Sequence, residues 1–330
     1  MSGHDPGRRA ALRTGLSCAA WLAVAQAAMP RALWAAFARE DGTHEVVARE
    51  PFGRLERVGR DAYALISTPF DGDRTTVANG GIVAGRSGVL VVEGLFTVGG
   101  AQWLAAQAKR LTGRWPTHVV LSHQHADHVA GTPAYLACGD GCAPPRVHAT
   151  DATVRAVVER TPAPDPSLAA ALRDAIRVSG DAPSVLDLGG RRVRIVPAAG
   201  HTASDLLVDL PDERLLFAGD LAWHGVFPNF VDAAPTTWRA ALALLPASGD
   251  RYRTVPGHGA VMDDAAMSAY RGLHAELEAA ARAAHAAGTP ADVAARAWTI
   301  PASLGAWALF GPAFPPRAFQ AWYRAFDAAR

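Results

Sequence analysis

A histidine-rich loop between an apolar strand and a helix is the feature that most narrows what this chain can fold into. Residues 117–121 are apolar and β-prone, and residues 122–131 read Ser-His-Gln-His-Ala-Asp-His-Val-Ala-Gly. Neutral nitrogen and anionic oxygen donors of this kind are the ligands that zinc and iron prefer. Because α/β folds place their ligands in loops that follow strands, this loop predicts a metal site in an α/β fold.

The spacing within the loop predicts that its side chains face two different metal ions. His123 and His125 lie two residues apart on a loop and can face one ion. Asp127 and His128 fall in the first turn of the following helix, point elsewhere and can hold a second ion. The alternative, a group of solvated surface histidines, is weak for a cluster this dense.

Three further polar residues follow β-prone runs later in the chain. His201, Asp220 and His258 each come directly after a glycine. A glycine lets the backbone turn sharply and allows the next side chain to reach a shared centre. We therefore expect these three residues to join the loop histidines.

The order of these residues resembles that of the metallo-β-lactamase fold superfamily. Its members carry His-x-His-x-Asp-His, then a histidine, an aspartate or cysteine, and a last histidine. The resemblance covers about residues 60–262 and implies a four-layer αββα sandwich with the site at one edge, between the two sheets. It implies one metal held by His123, His125 and His201, a second held by Asp127, His128 and His258, and Asp220 as the bridge between them.

The chemistry that this resemblance implies is metal-dependent hydrolysis. Two zinc ions sharing Asp220 would hold a bridging hydroxide, with Asp127 and Asp220 as catalytic residues, and would cleave an ester, thioester, lactone or lactam. Aspartate at position 220 is typical of glyoxalase II-like and lactonase-like hydrolases, whereas true class B β-lactamases generally have cysteine or serine. Glu93 stands where the family usually has a buried aspartate.

Residues 200–221 resemble a narrower subgroup of exported bacterial zinc hydrolases associated with quinoprotein relay systems or sulfur oxidation. That resemblance implies association with a periplasmic redox system. Two alternatives stay open. Related sulfur dioxygenases bind one iron through residues matching His123, His201 and Asp220, and the protein could instead be a non-catalytic periplasmic metal-binding partner of a redox system. Retention of Asp127 and Asp220 favours catalysis, because storage of zinc needs no bridging carboxylate.

Substrate-contacting residues are expected just after Asp220. Trp223, His224 and Phe227 follow it closely and could line the substrate pocket. The alternative is that Phe227 and Phe230 fill the core while His224 faces water.

Strand and helix patterns predict one layered α/β domain, residues 39–262, followed by a helical C-terminal extension, residues 263–330, packed on the same domain. Predicted strands cover residues 62–67, 77–84, 89–92, 117–121, 147–149, 185–188, 193–196, 206–210, 214–218 and 253–255. Predicted helices cover residues 99–111, 151–160, 167–178, 263–287, 290–298 and 316–329.

The first 38 residues have the layout of a signal peptide and leader. Arg8, Arg9 and Arg13 precede an uncharged apolar run, residues 16–29, and the arginine pair resembles a twin-arginine signal. The run is shorter than the roughly 20 residues of a spanning helix, so we expect a periplasmic or secreted protein with no stable membrane span after processing.

An oxidising compartment would favour a disulfide between Cys138 and Cys142, which lie in a turn-rich loop. A zinc knuckle is the alternative, although no second cysteine pair lies nearby. The formal net charge is +1, from 32 basic and 31 acidic residues. A protein that binds phosphate backbones usually carries an excess of basic residues, and this chain does not. The balance therefore argues against nucleic acid as a partner and favours a small-molecule substrate.

Overall fold

Two β-sheets organise the part of the chain that the computed structural model describes, residues 44–137, 143–159, 165–180, 182–247 and 249–329. The larger sheet has the order β1-β2-β3-β4-β5-β6-β7-β8, and the smaller has the order β13-β12-β11-β10-β9. The larger sheet contains β1 (Glu45–Glu50), β2 (Gly53–Gly59), β3 (Ala62–Ser67), β4 (Gly80–Ala84), β5 (Val89–Val92), β6 (His118–Val120), β7 (Arg146–Ala149) and β8 (Ile176–Arg177). The smaller contains β9 (Ser184–Asp187), β10 (Arg192–Ala198), β11 (Asp205–Leu210), β12 (Leu215–Trp223) and β13 (Arg253–His258).

Helices connect the parallel strands of the larger sheet. Strands β1 to β5 pair antiparallel, whereas β5 to β8 pair parallel and need crossover connections. The crossovers contain α1 (Val98–Thr112), α2 (Ala126–Val129), α3 (Pro133–Leu136), α4 (Asp151–Val158) and α5 (Pro166–Arg173). Strands β12 and β13 are also parallel, so the carboxyl ends of several strands meet at one edge of the fold.

Strand β3 shows how the two sheets share a core. Ala62, Ala64 and Ile66 pack between the sheets, whereas Tyr63 and Leu65 pack under the helices of the larger sheet. Successive side chains of a strand point to opposite faces, so a strand buried on both faces reads as a continuous apolar run.

Strand β12 has the same character in the smaller sheet. Leu215 and Phe217 face the inter-sheet core, and Leu216 and Ala218 face the C-terminal helices. All nine residues of β12 are buried. It pairs antiparallel with β11 and parallel with β13.

The C-terminal helices cover the outer face of the smaller sheet. They are α6 (Pro235–Ala241), α7 (Asp264–Ala286), α8 (Ala291–Ala297) and α9 (Phe314–Ala328). In α7, Met267, Tyr270, Leu273 and Leu277 are buried at helical spacing against this core. The layers are therefore helix, sheet, sheet and helix, which confirms the αββα prediction.

None of the helices in the described ranges combines the length with the apolar character that a bilayer crossing requires. The predicted signal in residues 1–38 and the predicted Cys138–Cys142 pair lie outside the described residues.

Two local predictions differ from the structure. Strands β1 and β2 were not predicted because charged residues interrupt their apolar pattern; Arg54 and Glu56 are buried on β2 as an ion pair of 2.6 Å. The helix predicted over 167–178 is wrong in its second half, since α5 ends at Arg173 and β8 follows. Arg177 Nη1 donates to the carbonyl of Leu172, which satisfies an acceptor at the end of that helix.

Candidate metal centre

The seven predicted ligands converge at the edge of the sandwich. His123, His125, His201 and Asp220 form one group, and Asp127, His128 and His258 form another. One donor atom from each member of a group lies within 4.8 Å of the others. All seven side chains are buried except His125, which is partly exposed.

Local backbone geometry brings these side chains together. The loop after β6 carries His123 and His125, and α2 begins at Ala126, so Asp127 and His128 occupy its first turn. Asp220 lies within β12, and His258 ends the neighbouring strand β13. Gly257 is required there, because a Cβ at that position would collide with the Asp220 carboxylate.

The first group has the spacing of ligands around a single ion. The Nδ1 atom of His125 lies 3.0 Å from Nε2 of His123 and 3.0 Å from Nε2 of His201. Asp220 Oδ2 lies 3.1 Å from His201 Nε2. Two nitrogens bound to one tetrahedral zinc at 2.0–2.1 Å would be separated by about 3.3 Å, so these distances fit a shared ligand sphere.

The second group faces the other oxygen of the same aspartate. Asp220 Oδ1 lies 3.2 Å from His128 Nε2 and 3.4 Å from His258 Nε2. Asp127 Oδ2 lies 3.4 Å from His258 Nε2 and 3.7 Å from His128 Nε2. Asp220 therefore presents one carboxylate oxygen to each group.

Several buried polar atoms at this centre have no hydrogen-bond partner among the described residues. They include Oδ1 of Asp127, and also Nε2 of His128 and Oδ1 of Asp220, which form an ion pair of 3.2 Å without the geometry of a hydrogen bond. An unpaired buried polar atom costs about 1–3 kcal/mol, so a folded chain rarely gathers several of them without a ligand. A cation between these atoms would satisfy them, and the donor set fits metal binding.

The electrostatics keep the two carboxylates and His123 in the forms that bind metal, but favour the protonated forms of His128 and His258. Burial alone would raise the pKa of Asp220, but His128 and His258 outweigh it and hold that pKa well below its usual value. The same balance lowers the pKa of Asp127 to about 2. Burial together with His128 lowers the pKa of His123 well below its ordinary value. The carboxylates are thus anionic and His123 is neutral, as ligation requires. Burial alone would lower the pKa of His128 and His258, but Asp220 outweighs it, raising the pKa of His128 well above its ordinary value and that of His258 to about 9. Metal binding by these two histidines therefore requires that they release their protons.

Glu93 and Ser122 contact the Nδ1 atoms of two histidines, on the side of each ring opposite the Nε2 atom, and so orient the rings. Glu93 Oε1 lies 3.1 Å from His128 Nδ1, and its Oε2 accepts from the Ser122 backbone N–H at 3.1 Å. Ser122 Oγ lies 2.9 Å from His123 Nδ1. Glu93 has φ of 75°, an uncommon conformation for a residue with a side chain, which is typical of functional sites.

Asp232 belongs to the site although the sequence did not predict it. Its Oδ2 lies 2.9 Å from Nε2 of His125, which leaves Nδ1 of that ring to face the other ligands. The hydrogen bond with His125 lowers the pKa of Asp232. The two residues are 107 positions apart, and the only available signal was a carboxylate in the loop after β12.

The three predicted substrate residues occupy different places. Trp223 is buried and stacks on His258, with ring centroids 4.2 Å apart. His224 is half-buried, and its Nδ1 lies 3.0 Å from the carbonyl of Ala260. Phe227 is fully buried with Phe230, as the core alternative expects. Substrate contact by Trp223, His224 and Phe227 stays a prediction.

Comparison with models of protein families identifies the family of this chain. The family model of the Metallo-beta-lactamase superfamily matches residues 74–258, a range that includes all seven ligands. The chain belongs to this superfamily.

Relatives of this superfamily member include named hydrolases. A hydroxyacylglutathione hydrolase of Rhodobacter capsulatus is 31% identical over 146 residues, 44% of this chain and 49% of that protein. An atrochrysone carboxyl ACP thioesterase of Cryptosporiopsis sp. is 28% identical over 149 residues, 45% of this chain and 38% of that protein. The chain thus spans about half or less of the length of these curated relatives.

Solved structures share the fold of this superfamily member at low identity. The sec-alkylsulfatase Pisa1 from Pseudomonas sp. has a TM-score of 0.61 at 16% identity, covering 82% of this chain and 50% of that one. A metallo-β-lactamase from Erythrobacter litoralis has a TM-score of 0.55 at 17% identity, covering 70% of this chain and 100% of that one. These likenesses show the fold.

Proposed function

We propose that this superfamily member is a di-zinc hydrolase that cleaves a thioester or a related carboxylic ester. The observation that carries the proposal is the placement of Asp220, whose Oδ2 faces His201 and whose Oδ1 faces His128. A carboxylate with one oxygen for each of two donor groups is suited to join two cations in one centre.

Zinc suits a donor set of five histidines and two aspartates better than the harder cations, which prefer oxygen ligands alone. Two zinc ions held there would lower the pKa of a water molecule towards 7 and polarise a scissile carbonyl. The protein's own part is to fix the geometry. Glu93 and Asp232 each hold one histidine ring in the orientation that leaves a single nitrogen facing the centre.

A thioester is the favoured substrate among the four bond types considered. Relatives of this chain are named as a hydroxyacylglutathione hydrolase and as a thioesterase. Position 220 is an aspartate, and the sole lysine of the chain, Lys109, lies in α1 with its Nζ donating to the Gly113 carbonyl. A lysine clamp for a β-lactam carboxylate is therefore missing.

The test combines metal content with a substrate panel. We expect close to two zinc ions per chain, and hydrolysis of a thioester such as an S-acylglutathione ahead of a lactone or a chromogenic cephalosporin. His123→Ala should lose metal and activity, whereas His285→Ala is the matched control, because His285 pairs with Asp327 outside the centre. One tightly held iron together with oxygen consumption on glutathione persulfide would overturn the proposal.

We also propose that the chain is exported through its arginine-rich N-terminus. Support comes from Arg8 and Arg9 followed by the apolar run, residues 16–29.

A further inference from the structure

The end of β13, which carries His258, has little to fix it from within. His258 lies between Gly257 and Gly259, and glycines leave the backbone free to adopt many conformations. Among the described strands, β13 stands at the end of the smaller sheet and pairs along one edge, with β12. The position of His258 therefore depends on contacts from elsewhere in the fold.

The His258 ring also lacks a support that three other ligand rings have. In each of those three, an oxygen of a neighbouring side chain lies within 3.1 Å of one ring nitrogen; the side chains are Glu93, Ser122 and Asp232. Nδ1 of His258 has no hydrogen-bond partner among the described residues, and the ring stacks on Trp223 instead. Stacking leaves a ring free to slide, so the backbone must determine where the His258 ring lies.

Asn79 binds this backbone from the larger sheet. It directly precedes β4, and its side chain is buried. Its Nδ2 donates to the carbonyl of Pro256 at 2.9 Å and to the carbonyl of Gly259 at 2.8 Å. Its backbone N–H donates to the carbonyl of Gly257 at 2.7 Å. One residue thus binds the chain on both sides of His258.

The amide group of Asn79 is itself held in one orientation. Its Oδ1 accepts from the backbone N–H of Ser67 at 2.9 Å, at the end of β3. A backbone N–H requires an acceptor and the two carbonyls require donors, so only one orientation of the amide satisfies all three partners. Asn79 therefore connects the end of β3 to the end of β13.

His224 completes the set of hydrogen bonds to this segment. Its backbone N–H donates to the carbonyl of His258 at 3.0 Å, and its Nδ1 lies 3.0 Å from the carbonyl of Ala260. Every carbonyl of residues 256–260 consequently has Asn79 or His224 as a partner, with His258 in the middle.

We propose that Asn79 is a positioning residue, which places His258 for metal binding through the backbone of residues 256–260. This inference rests on the proposed function, because it assigns Asn79 a role towards the second of two metal ions. Nε2 of His258 lies 3.4 Å from Asp127 Oδ2 and 3.4 Å from Asp220 Oδ1. A shift of the segment would therefore disturb the second donor group and leave the histidines of the first group in place.

Asn79→Asp tests the role with a side chain of nearly the same size. Aspartate keeps an oxygen for the Ser67 N–H but cannot donate to two carbonyls. In metal-free protein, amide hydrogen exchange in residues 256–260 should become about tenfold faster. The amides of β12 should keep their protection, which shows that the variant is folded. Equal exchange in residues 256–260 of variant and wild type would overturn the proposal.

Zinc titration against a chelator tests the effect on the metal centre. Asn79→Asp should weaken binding of the second zinc ion about 10- to 100-fold and leave the first unchanged. Asn79→Ser introduces no carboxylate and should show the same selective loss. The matched control is Asn229→Asp, since Asn229 is the other asparagine of the chain, is also buried, and has no hydrogen-bond partner for Nδ2 among the described residues. Weakening of both ions alike, or of neither, in the Asn79 variants would overturn the proposal.

A double variant separates positioning of His258 from a general structural role. In protein that already carries His258→Ala, Asn79→Asp should change the affinity for the second zinc ion by about twofold at most, because Asn79 acts through the missing ring. An equal loss in both backgrounds would overturn the proposal. None of these readouts requires hydrolysis. Two bound zinc ions with the expected dependence on Asn79, but no cleavage of any ester or thioester, would contradict the proposed function alone.

Discussion

Glu93 holds His128 by a contact of 3.1 Å between Oε1 and Nδ1, in a backbone conformation with φ of 75° that glutamate rarely adopts. Superfamily members usually carry an aspartate at this position. The longer side chain keeps the function of a carboxylate, because its second oxygen accepts from the Ser122 N–H. One oxygen of Glu93 therefore accepts a hydrogen bond, and the other forms an ion-pair contact with His128.

Glu93→Gln should weaken metal binding by the Asp127, His128 and His258 group about 10- to 100-fold, the usual effect of removing a partner behind a ligand. The amide retains one acceptor oxygen, so either His128 or Ser122 faces an NH₂ group. Metal titration with a chelator measures the change. Glu56→Gln is the control, since Glu56 is also a buried glutamate but pairs with Arg54 on β2. Equal metal affinity in both variants would contradict the assigned role of Glu93.

Asp232→Asn should weaken binding by the other donor group to a similar degree, about 10- to 100-fold, because His125 loses the anion that fixes its ring. Asp327→Asn is closely matched, since Asp327 contacts His285 at the same distance, 2.9 Å, outside the centre. Zinc content and kcat/KM of the two variants decide the point. We expect the Asp327 variant to resemble the wild type in both measurements.

Asp220→Cys should lower turnover by about 100-fold or more, as expected when a preorganised centre is disturbed. A single sulfur cannot place one atom near His201 and another near His128, as the carboxylate does. β-Lactam hydrolysis should not appear, because Trp223 is buried against His258 and offers no cation. Steady-state kinetics with a thioester and a chromogenic cephalosporin test both statements. Wild-type turnover, or efficient cephalosporin cleavage, would show that the role of position 220 has been misassigned. Asp209→Cys on β11 serves as the control.

His274 makes stability depend on pH at a place away from the ligands. It is buried among Phe230, Trp238 and Tyr270, neither ring nitrogen has a hydrogen-bond partner among the described residues, and burial lowers its pKa to about 3. The unfolded chain takes up a proton near pH 6.5, before the folded protein does. Above pH 6.5 His274 is neutral in both states, and its titration does not affect stability. As the pH falls from 6.5 towards 3, protonation of the unfolded chain lowers the free energy of unfolding.

His274→Leu should remove that dependence. Between pH 8 and pH 5 the wild type should lose on the order of 2 kcal/mol of unfolding free energy through this histidine, and the variant should not. Urea unfolding at both pH values measures the difference. Parallel pH profiles for the two proteins would contradict the expectation.

Arg8→Lys with Arg9→Lys should block export while keeping the charge of the N-terminus, because a twin-arginine signal is read as an arginine pair. Fractionation of a bacterial host should then find the protein in the cytoplasm. Arg13→Lys is the matched control and should be exported normally. Undiminished periplasmic accumulation of the double variant would indicate another route.

The clustering of the seven predicted ligands was predictable because each one carries a local signal. His201, Asp220 and His258 follow glycines at β-prone runs, and the spacing of His123 and His128 separates them into two groups. The local signals do not show which residues are neighbours in space. The sheet order supplies this, since the pairing of β12 with β13 places Asp220 beside His258.

Other features depend on contacts that no local pattern encodes. Asp232 meets His125 only because the loop after β12 returns to the centre, and Phe70 meets Phe310 across most of the chain. Strand β2 was not predicted because its local pattern was misleading. Its Arg54 and Glu56 look solvent-exposed in the sequence but neutralise each other inside the fold.

The burial of β12 along its whole length has a consequence for how the proposed metal ions would bind. A strand buried at all nine positions, with neighbours on both edges, opens only with the domain as a whole, so its amides should be among the slowest to exchange with solvent. Asp220 is carried on that strand, so we expect its position to be fixed by the fold and not by the proposed metal ions. A chelator should then remove those ions while the amide protons of β12 stay protected.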